Sequence, residues 1–282
     1  MSKVARQQYG KERVRVMRVH RETETHEVFE YEAGISLEGD FDAAYTEGDN
    51  APVVPTDTMK NTLHALGYTL APRSLEAFAL GVAAHFLEKY AHISDVRLHI
   101  TQKTWTRLNI GGQPHAHAFQ EAAGGTPFVR LYARRAGRTL ISGFTDLLIL
   151  KTTNSGFEGF PRCDYTTLPE TDDRILATSA SAEWSYGAPL DSLDFEALRA
   201  TVMTEFFRVF ATEYSPSVQR TLFQMGEAVL AAALPIREIT FRLPNKHYLP
   251  INLQPLGLPA QKEVFLPTDE PHGQIEATIA RA

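Results

Sequence analysis

The sequence predicts an α+β protein built from two tandem ββααββ units, which span residues 1–138 and 139–282. Several segments alternate apolar and polar residues, which is the period of a strand with one buried face. Other segments repeat apolar residues at steps of three and four, which is the period of an amphipathic helix. Both kinds of segment come in the same order in the two halves, so a repeated fold is expected.

The first half begins with a strand at residues 14–16 and a second strand at 29–37. Phe29, Tyr31 and Ala33 alternate with polar residues, so one face of the second strand should be buried. Either Thr56 or Asp57 is expected to cap a helix. The later elements of this half are a helix after Ser74, a strand at 96–100, a turn at Gly111-Gly112 and a strand at 128–135.

The second half is expected to repeat this order. Its elements are a strand at 147–152, a loop at 153–173, a strand within 174–186, helices on the apolar residues of 195–209 and 218–233, and strands at 236–243 and 274–280. The loop is long for a compact domain, and such loops are often functional. The helix starts at 55–63 and 214–222 are similar in sequence, which supports a duplication.

Composition excludes several classes of protein. The chain has 282 residues, 43% hydrophobic and 22% charged, as is ordinary for a globular protein. A net charge of −6 argues against a general nucleic-acid binder. Cys163 is the single cysteine, so neither an internal disulfide nor a cysteine-rich zinc site is possible. No segment resembles a signal peptide or a membrane span, and the cytoplasm is the expected location.

An antiparallel four-stranded sheet with two helices on one face leaves its other face uncovered. A second subunit can cover that face or close the sheet into a barrel. The sequence therefore predicts an oligomer.

The stretch Leu243-Pro244-Asn245-Lys246-His247-Tyr248 follows the strand at 236–243. Pro244 lacks a backbone donor, so regular pairing is expected to loosen there. At strand period, Asn245 and His247 project to one side and can form the floor of a small polar site. An ordinary polar turn is the alternative.

Six other positions allow two interpretations. Lys11 is either a solvated charge or, if partly buried, a base. Thr56 and Asp57 are helix caps or ligand contacts. Phe157 lies in the long loop, where an aromatic residue suits a stacking lid. Arg174 forms a surface ion pair with Asp172 or Asp173, or clamps a heterocycle. Gln219 is either a solvated helix residue or an amide that hydrogen-bonds to the polar edge of a ligand.

His115 and His117 are the densest metal-like pair. Two histidines at i and i+2 share a strand face, but no third ligand lies nearby in the sequence. Structural or interfacial histidines are therefore the first interpretation.

Together these motifs resemble the urate oxidase (uricase) family over nearly the whole chain. The matching blocks are Tyr9-Gly10-Lys11, Pro55-Thr56-Asp57-Thr58-Met59-Lys60-Asn61, His85-Phe86-Leu87-Glu88-Lys89-Tyr90, Trp105-Thr106-Arg107, Pro114-His115-Ala116-His117, Thr153-Asn154-Ser155, Gly159-Phe160, Tyr165-Thr166-Thr167-Leu168, Asp173-Arg174-Ile175-Leu176, Ser217-Val218-Gln219 and the stretch at 243–248. The resemblance implies the tunnelling fold (T-fold), with antiparallel sheets closing into an oligomeric β-barrel and helices outside. It implies a homotetramer with active sites between subunits, which oxidises urate with O2 and water to 5-hydroxyisourate and hydrogen peroxide. It implies that the reaction needs neither a metal nor an organic cofactor. From the net charge and the lack of a long apolar run, no nucleic-acid or membrane partner is expected.

The resemblance also implies a role for each matching residue. Lys11, Thr56 and His247 match the proton relay, and Thr56 and Asp57 match contacts from the neighbouring subunit. Phe157 matches the residue that stacks on the purine, and Arg174 and Gln219 match the pair that binds opposite edges of its ring. The backbone of Val218 lies beside that pair. Asn245 matches the residue at the O2 site. Glu158, Cys163 and Asp172 depart from the family motifs, but none falls on a matched contact.

Two other functions have the same expected architecture. A T-fold enzyme acting on pterins or GTP is one, although such hydrolases usually need a Cys/His zinc site. A non-catalytic purine-binding protein is the other, and the presence of every relay residue argues against it.

Overall fold

The structure is a computed structural model that describes residues 3–259 and 262–281. The chain divides into two compact units, Met1–Gly143 and Phe144–Ala282. Each unit consists of an antiparallel sheet and a pair of long helices. The α+β class and the ββααββ order of each half are therefore confirmed.

The first unit begins with two long strands and continues through helices to two further strands. Its elements are β1 (Tyr9–His20), β2 (Glu27–Gly39), α1 (Asp42–Thr46), α2 (Thr56–Thr69), α3 (Leu75–Lys89), β3 (Ile93–Lys103), β4 (Trp105–Ile110), β5 (Gln113–Glu121) and β6 (Thr126–Arg134). The sheet order is β1-β2-β3-β6, and β4 and β5 form a separate hairpin around the predicted glycine turn. The strands β4 and β5 and the short helix α1 were not predicted.

Strand β2 shows why one face of the sheet in this unit is buried. Phe29, Tyr31, Ala33, Ile35 and Leu37 are all at most 5% exposed, as their alternation predicts. They pack beneath α2 and α3, whose buried residues include Met59 and Phe78. Hydrophobic burial on this side fixes both helices on the sheet.

The two predicted helix caps of this unit differ in outcome. Ser74 accepts a hydrogen bond from the Ala77 N–H at 3.2 Å, so its cap of α3 is confirmed. The prediction that Thr56 or Asp57 caps α2 is wrong. Pro55 occupies the N-cap position, and no side chain there binds the free N–H groups. Thr56 is instead the first residue of the helix, because Pro55, with φ of −56° and ψ of 137°, takes the extended conformation of the position before the helix.

The second unit repeats the order with longer strands. Its elements are β7 (Gly137–Lys151), which begins seven residues before the division between the units, β8 (Leu176–Tyr186), α4 (Phe195–Thr212), α5 (Val218–Ala232), β9 (Ile236–Pro250) and β10 (Phe265–Ala280). The strand order is β7-β8-β9-β10. A core on the helix side contains Trp184, Phe206, Met225 and Phe241.

The prediction that pairing loosens at Pro244 is confirmed on the β8 side, where the paired residues of β9 skip from Arg242 to Asn245, but not on the β10 side. Strand β9 continues through Pro244 to Pro250, and Pro244 lies opposite Gln274 of β10. The register shift falls on the partner strand, between Thr268 and Gly273. Pro244 has no backbone N–H to donate, so β9 passes through it without a ladder hydrogen bond from that residue.

The similarity between the helix starts at 55–63 and 214–222 does not mark equivalent positions. α2 is the first long helix of its unit, whereas α5 is the second of its own. The order of elements makes α2 equivalent to α4, and α3 equivalent to α5.

None of the helices in the described part of the chain combines the length and the apolar character that crossing a membrane requires.

Candidate active site

Lys11 lies at a bulge in β1. The pairing of β1 with β2 is regular except between Lys11 and Val14, and Arg13 adopts a left-handed conformation with φ of 58°. Lys11 lies opposite Ile35, whose side chain is fully buried on the helix side of the sheet. Gly10 is required before it, because a Cβ there would collide with the Ile35 carbonyl oxygen. The strand therefore holds Lys11, half-buried, at the edge of the core.

The start of α2 lies close enough to Lys11 for the charge of that lysine to act on Asp57. The Asp57 carboxylate accepts hydrogen bonds from Lys60 and, at 2.9 Å, from the Asn61 amide. The hydrogen bond from Lys60 is the largest cause that lowers the pKa of Asp57, and the charge of Lys11 makes a smaller contribution. Thr56 and Asp57 are exposed, and the first N–H groups of a helix have no intrahelical partner. With no capping side chain, these donors suit an electron-rich ligand.

In the second unit, the loop 153–173 holds Phe157 by backbone pairing. The Phe157 N–H donates to the Thr171 carbonyl at 2.7 Å, and the Thr171 N–H returns a bond at 3.2 Å. Gly156 must be a glycine, since a Cβ would meet the Tyr214 hydroxyl. Phe157 is half-buried, and the Phe160 ring stacks beside it with centroids 5.0 Å apart.

Arg174 lies over the Phe157 ring, with its guanidinium carbon 5.6 Å from the ring centroid. Its backbone N–H donates to the Ser155 carbonyl at 2.8 Å. Its Nε is buried and, within residues 3–259 and 262–281, has no hydrogen-bond partner. Burial lowers the pKa of Arg174 from its usual value.

The surface ion pair that the sequence allowed for Arg174 does not form. Asp173 instead accepts a hydrogen bond from Thr153 at 2.8 Å, and Asp172 is exposed. A buried guanidinium beside an aromatic ring can bind a planar ligand that has hydrogen-bond acceptors on its rim.

Paired serines join the loop to the start of α5, which the sequence did not predict. Ser155 and Ser215 form a parallel bridge, and the Gly156 N–H donates to the Ser215 carbonyl at 2.8 Å. Ser155 and Ser215 are fully buried, and the Thr221 hydroxyl lies 2.6 Å from that of Ser215. The two serines lie far apart in the chain, so no local pattern in the sequence marks this bridge.

Val218 and Gln219 begin α5, directly after the Ser217 cap. Ser217 accepts the Arg220 N–H at 3.2 Å. Val218 is 5% exposed, so its side chain packs into the core and holds the start of the helix there. Gln219 is exposed. The serine bridge thus brings the Phe157 loop, Arg174 and the start of α5 together.

Asn245 and His247 lie on β9, opposite Thr178 of β8 and Thr268 of β10 respectively. Both are half-buried, and by strand period they lie on the same face as the buried Leu243. The prediction that these two residues share one side is therefore confirmed. Both continue the core face of the sheet towards its end.

The site residues predicted from the sequence fall into two groups. Lys11, Thr56 and Asp57 belong to the first unit. The other group belongs to the second unit and contains Phe157, Arg174, Val218, Gln219, Asn245 and His247.

His115 and His117 lie on the β5 strand of the hairpin, with ring centroids 4.6 Å apart. Arg107 donates to the backbone carbonyls of His115 and Ala116 at 2.8 and 2.7 Å, which fixes this strand. Across the described residues, no group of three His, Cys, Asp or Glu side chains has the arrangement of a metal site. The structural interpretation of this pair is therefore favoured.

Comparison with known proteins identifies the family. The uricase family model matches residues 7–132 and 140–276. This chain belongs to the uricase family. A uricase from Oryctolagus cuniculus is 39% identical over 279 residues, which cover 97% of this chain and 93% of the relative. A uricase from Arthrobacter globiformis is 41% identical over 277 residues, covering 97% and 88%.

Solved structures agree with the sequence comparison. The crystal structure of the Arthrobacter globiformis uricase superposes with a TM-score of 0.89 at 40% identity, covering 98% of this chain and 94% of that one. The T-fold expected from the motifs is therefore confirmed, as is the family.

Proposed function

We propose that this chain is a urate oxidase, which converts urate, O2 and water to 5-hydroxyisourate and hydrogen peroxide without a cofactor. Membership of the uricase family supports the reaction. Among the features of the fold, the buried Arg174 guanidinium over the Phe157 ring carries the proposal. It combines a ring for stacking with a buried donor, the Arg174 Nε, that has no partner among the described residues. A flat anion with acceptors on its rim can use both.

Substrate binding follows from this pair. The urate ring stacks on Phe157, while Arg174 and Gln219 bind its two opposite edges and the Val218 N–H binds between them. Thr56 and Asp57 of a neighbouring subunit bind the remaining edge through the uncapped start of α2. Polar groups that are left without a partner when the wrong ligand binds give strong discrimination, so the rim contacts set specificity.

Proton removal is the main chemical task of the protein. Urate becomes more electron-rich when it loses a proton, and it can then pass electrons to O2. Lys11 acts as the base and exchanges the proton through the Thr56 hydroxyl. His247 returns protons on the oxygen side, so that O2 leaves as hydrogen peroxide and the ring gains the oxygen of water. Asn245 holds O2 against the ring face and supplies proximity.

In the proposed site, residues of the first unit meet residues of the second unit across a subunit interface. Lys11, Thr56 and Asp57 come from one subunit, and the group around Arg174 comes from another. The proposed assembly is a homotetramer whose sheets close into barrels, located in the cytoplasm, with the repeats meeting at residues 138 and 139. Sedimentation that gives a stable monomer at working concentration would contradict it.

An oxygen electrode tests the function directly. Purified protein, stripped of metal with a chelator, is given urate while O2 uptake, urate absorbance and peroxide are followed. We expect one O2 consumed and one peroxide released for each urate lost. Tight binding of a non-oxidisable purine without O2 uptake would instead indicate a binding protein.

A further inference from the structure

Tyr9 connects the strand that carries Lys11 to the segment that leads into α2. Its hydroxyl accepts a hydrogen bond from the Val54 N–H at 2.8 Å, across 45 residues of chain. Its ring meets Phe41 edge to face, with centroids 4.9 Å apart. Burial raises the pKa of the Tyr9 phenol, so the hydroxyl stays neutral across the physiological range.

The two ends of this link lie close in sequence to the proposed proton relay. Tyr9 precedes Lys11 by two residues, and both face the helix side, opposite Leu37 and Ile35. Val54 precedes Thr56 by two residues, and Thr56 is the first residue of α2. The bond therefore sets how the start of α2 approaches the bulge of β1.

The rest of α2 is held independently of this bond. Met59 and Leu63 are fully buried against the core, so the helix keeps its place when the link is removed. Val54 is only 4% exposed, and its N–H would be left unpaired without the phenol. An unpaired buried N–H is costly, so the segment before Thr56 should shift towards water.

We propose that Tyr9 is a positioning residue, which holds Thr56 at the distance from Lys11 that proton transfer requires. The inference rests on the proposed roles of Lys11 and Thr56. Proton transfer between side chains needs heavy atoms within hydrogen-bond reach, so a small displacement of Thr56 slows it.

The first measurement compares Tyr9→Phe with Tyr45→Phe. Tyr45 lies near Tyr9 but is 54% exposed, so its hydroxyl serves as a matched control. We expect Tyr9→Phe to lower kcat about tenfold or more, in line with the cost of misplaced reacting groups, and to change the affinity for a non-oxidisable purine much less. Tyr45→Phe should keep the kcat of the parent. Equal kcat in all three proteins would overturn the proposal.

A double-mutant cycle separates positioning from general destabilisation. If Tyr9 acts through Thr56, then adding Tyr9→Phe to Thr56→Ala should lower kcat little further. A full additional loss in that background would show that Tyr9 acts elsewhere, and would reject the proposal.

Hydrogen exchange tests the link without relying on catalysis. The Val54 amide should exchange much faster in Tyr9→Phe than in the parent, whereas the amides of buried Met59 and Leu63 should keep their protection. Unchanged exchange at Val54 would refute the link even if the chain oxidises urate. Faster exchange in a chain that does not oxidise urate would reject the proposed function while leaving the link intact.

Discussion

Each unit has a strand in which a left-handed residue lies three residues after a glycine. The residue directly after that glycine is charged in the first unit and apolar in the second. In β1 the sequence is Gly10-Lys11-Glu12-Arg13, with Arg13 left-handed at φ of 58°. In β7 the sequence is Gly143-Phe144-Thr145-Asp146, with Asp146 left-handed at φ of 60°. At the position after glycine, the first unit has a half-buried lysine. The second has Phe144, which is 3% exposed and meets the Phe206 ring edge to face at 5.6 Å.

The helix starts of the two units differ in a similar way. α4, the equivalent of α2 in the second unit, begins with Asp194, whose side chain accepts the Ala197 N–H, whereas α2 begins at Pro55 with no side-chain cap. A capped start is satisfied within the fold, and an uncapped start leaves donors for a ligand. The two units thus share a backbone arrangement. Single residues determine whether a given position in it contributes to the proposed site or to packing.

Replacing Lys11 should have the largest effect on activity. Lys11→Met keeps the aliphatic stem but removes the base, so turnover should fall by about 10²-fold or more, the usual contribution of a positioned proton acceptor. Lys89→Met, at the exposed end of α3, should leave turnover unchanged. Urate absorbance at saturating substrate measures both. Full activity of Lys11→Met would remove Lys11 from the relay.

Replacing Phe144 should instead affect stability. Phe144→Ala leaves a cavity beside Phe206, and such truncations cost about 3–5 kcal/mol of unfolding free energy. Lys11→Met should change that free energy much less, because Lys11 is only half-buried and its replacement leaves no cavity in the core. Urea unfolding at one fixed protein concentration compares them. A larger loss in Lys11→Met than in Phe144→Ala would reverse the assignment of the two bulge residues.

Arg174→Lys tests whether the second unit supplies the binding surface. Lysine keeps the charge but loses the planar fork and the stacking geometry, so affinity for urate should fall about 10- to 100-fold, the equivalent of one to two good hydrogen bonds. Arg162 lies over Phe160 at 5.4 Å in the same loop, and Arg162→Lys is the matched control. Titration with a non-oxidisable purine measures both variants. Equal losses of affinity in the two variants would show that the whole loop, and not Arg174 in particular, determines purine binding.

Thr178→Val should have the smallest effect, and in the opposite direction. The Thr178 residue is 2% exposed, and its hydroxyl has no partner in the described part of the chain. Valine of the same shape should raise the unfolding free energy by about 1 kcal/mol, because it removes an unpaired buried polar atom. Thr240→Val breaks a 2.7 Å bond to Thr278 and should not stabilise. Thermal unfolding that ranks the two variants the other way would contradict this account.

Much of the fold could be predicted because its signals are local. In β2, apolar residues alternate with polar ones, and in α3 and α5 they recur every three or four residues. Both patterns show in the sequence which face of the element is buried. Strand lengths were underestimated for β7, β9 and β10, since their outer parts lack alternation and pair only through the tertiary fold. The start of α2 was misjudged because Thr56 and Asp57 both have capping side chains, and only the backbone reveals that Pro55 takes that position.

The site was predicted less evenly. The matched motifs named Lys11, Arg174 and Asn245, but no pattern in the sequence could show that Arg174 lies over Phe157. The serine bridge between Ser155 and Ser215 and the link from Tyr9 to Val54 join residues far apart in the chain. Such contacts depend on the packed fold, so local periodicity carries no record of them.

Cys163, the sole thiol, is exposed in the loop that holds Phe157. The Thr166 hydroxyl is the main cause that lowers its pKa, which favours the reactive thiolate. One maleimide fluorophore can therefore be attached there without removing any other cysteine. Such a label, in the same loop as Phe157, would report purine binding in real time and would separate that step from the later chemistry.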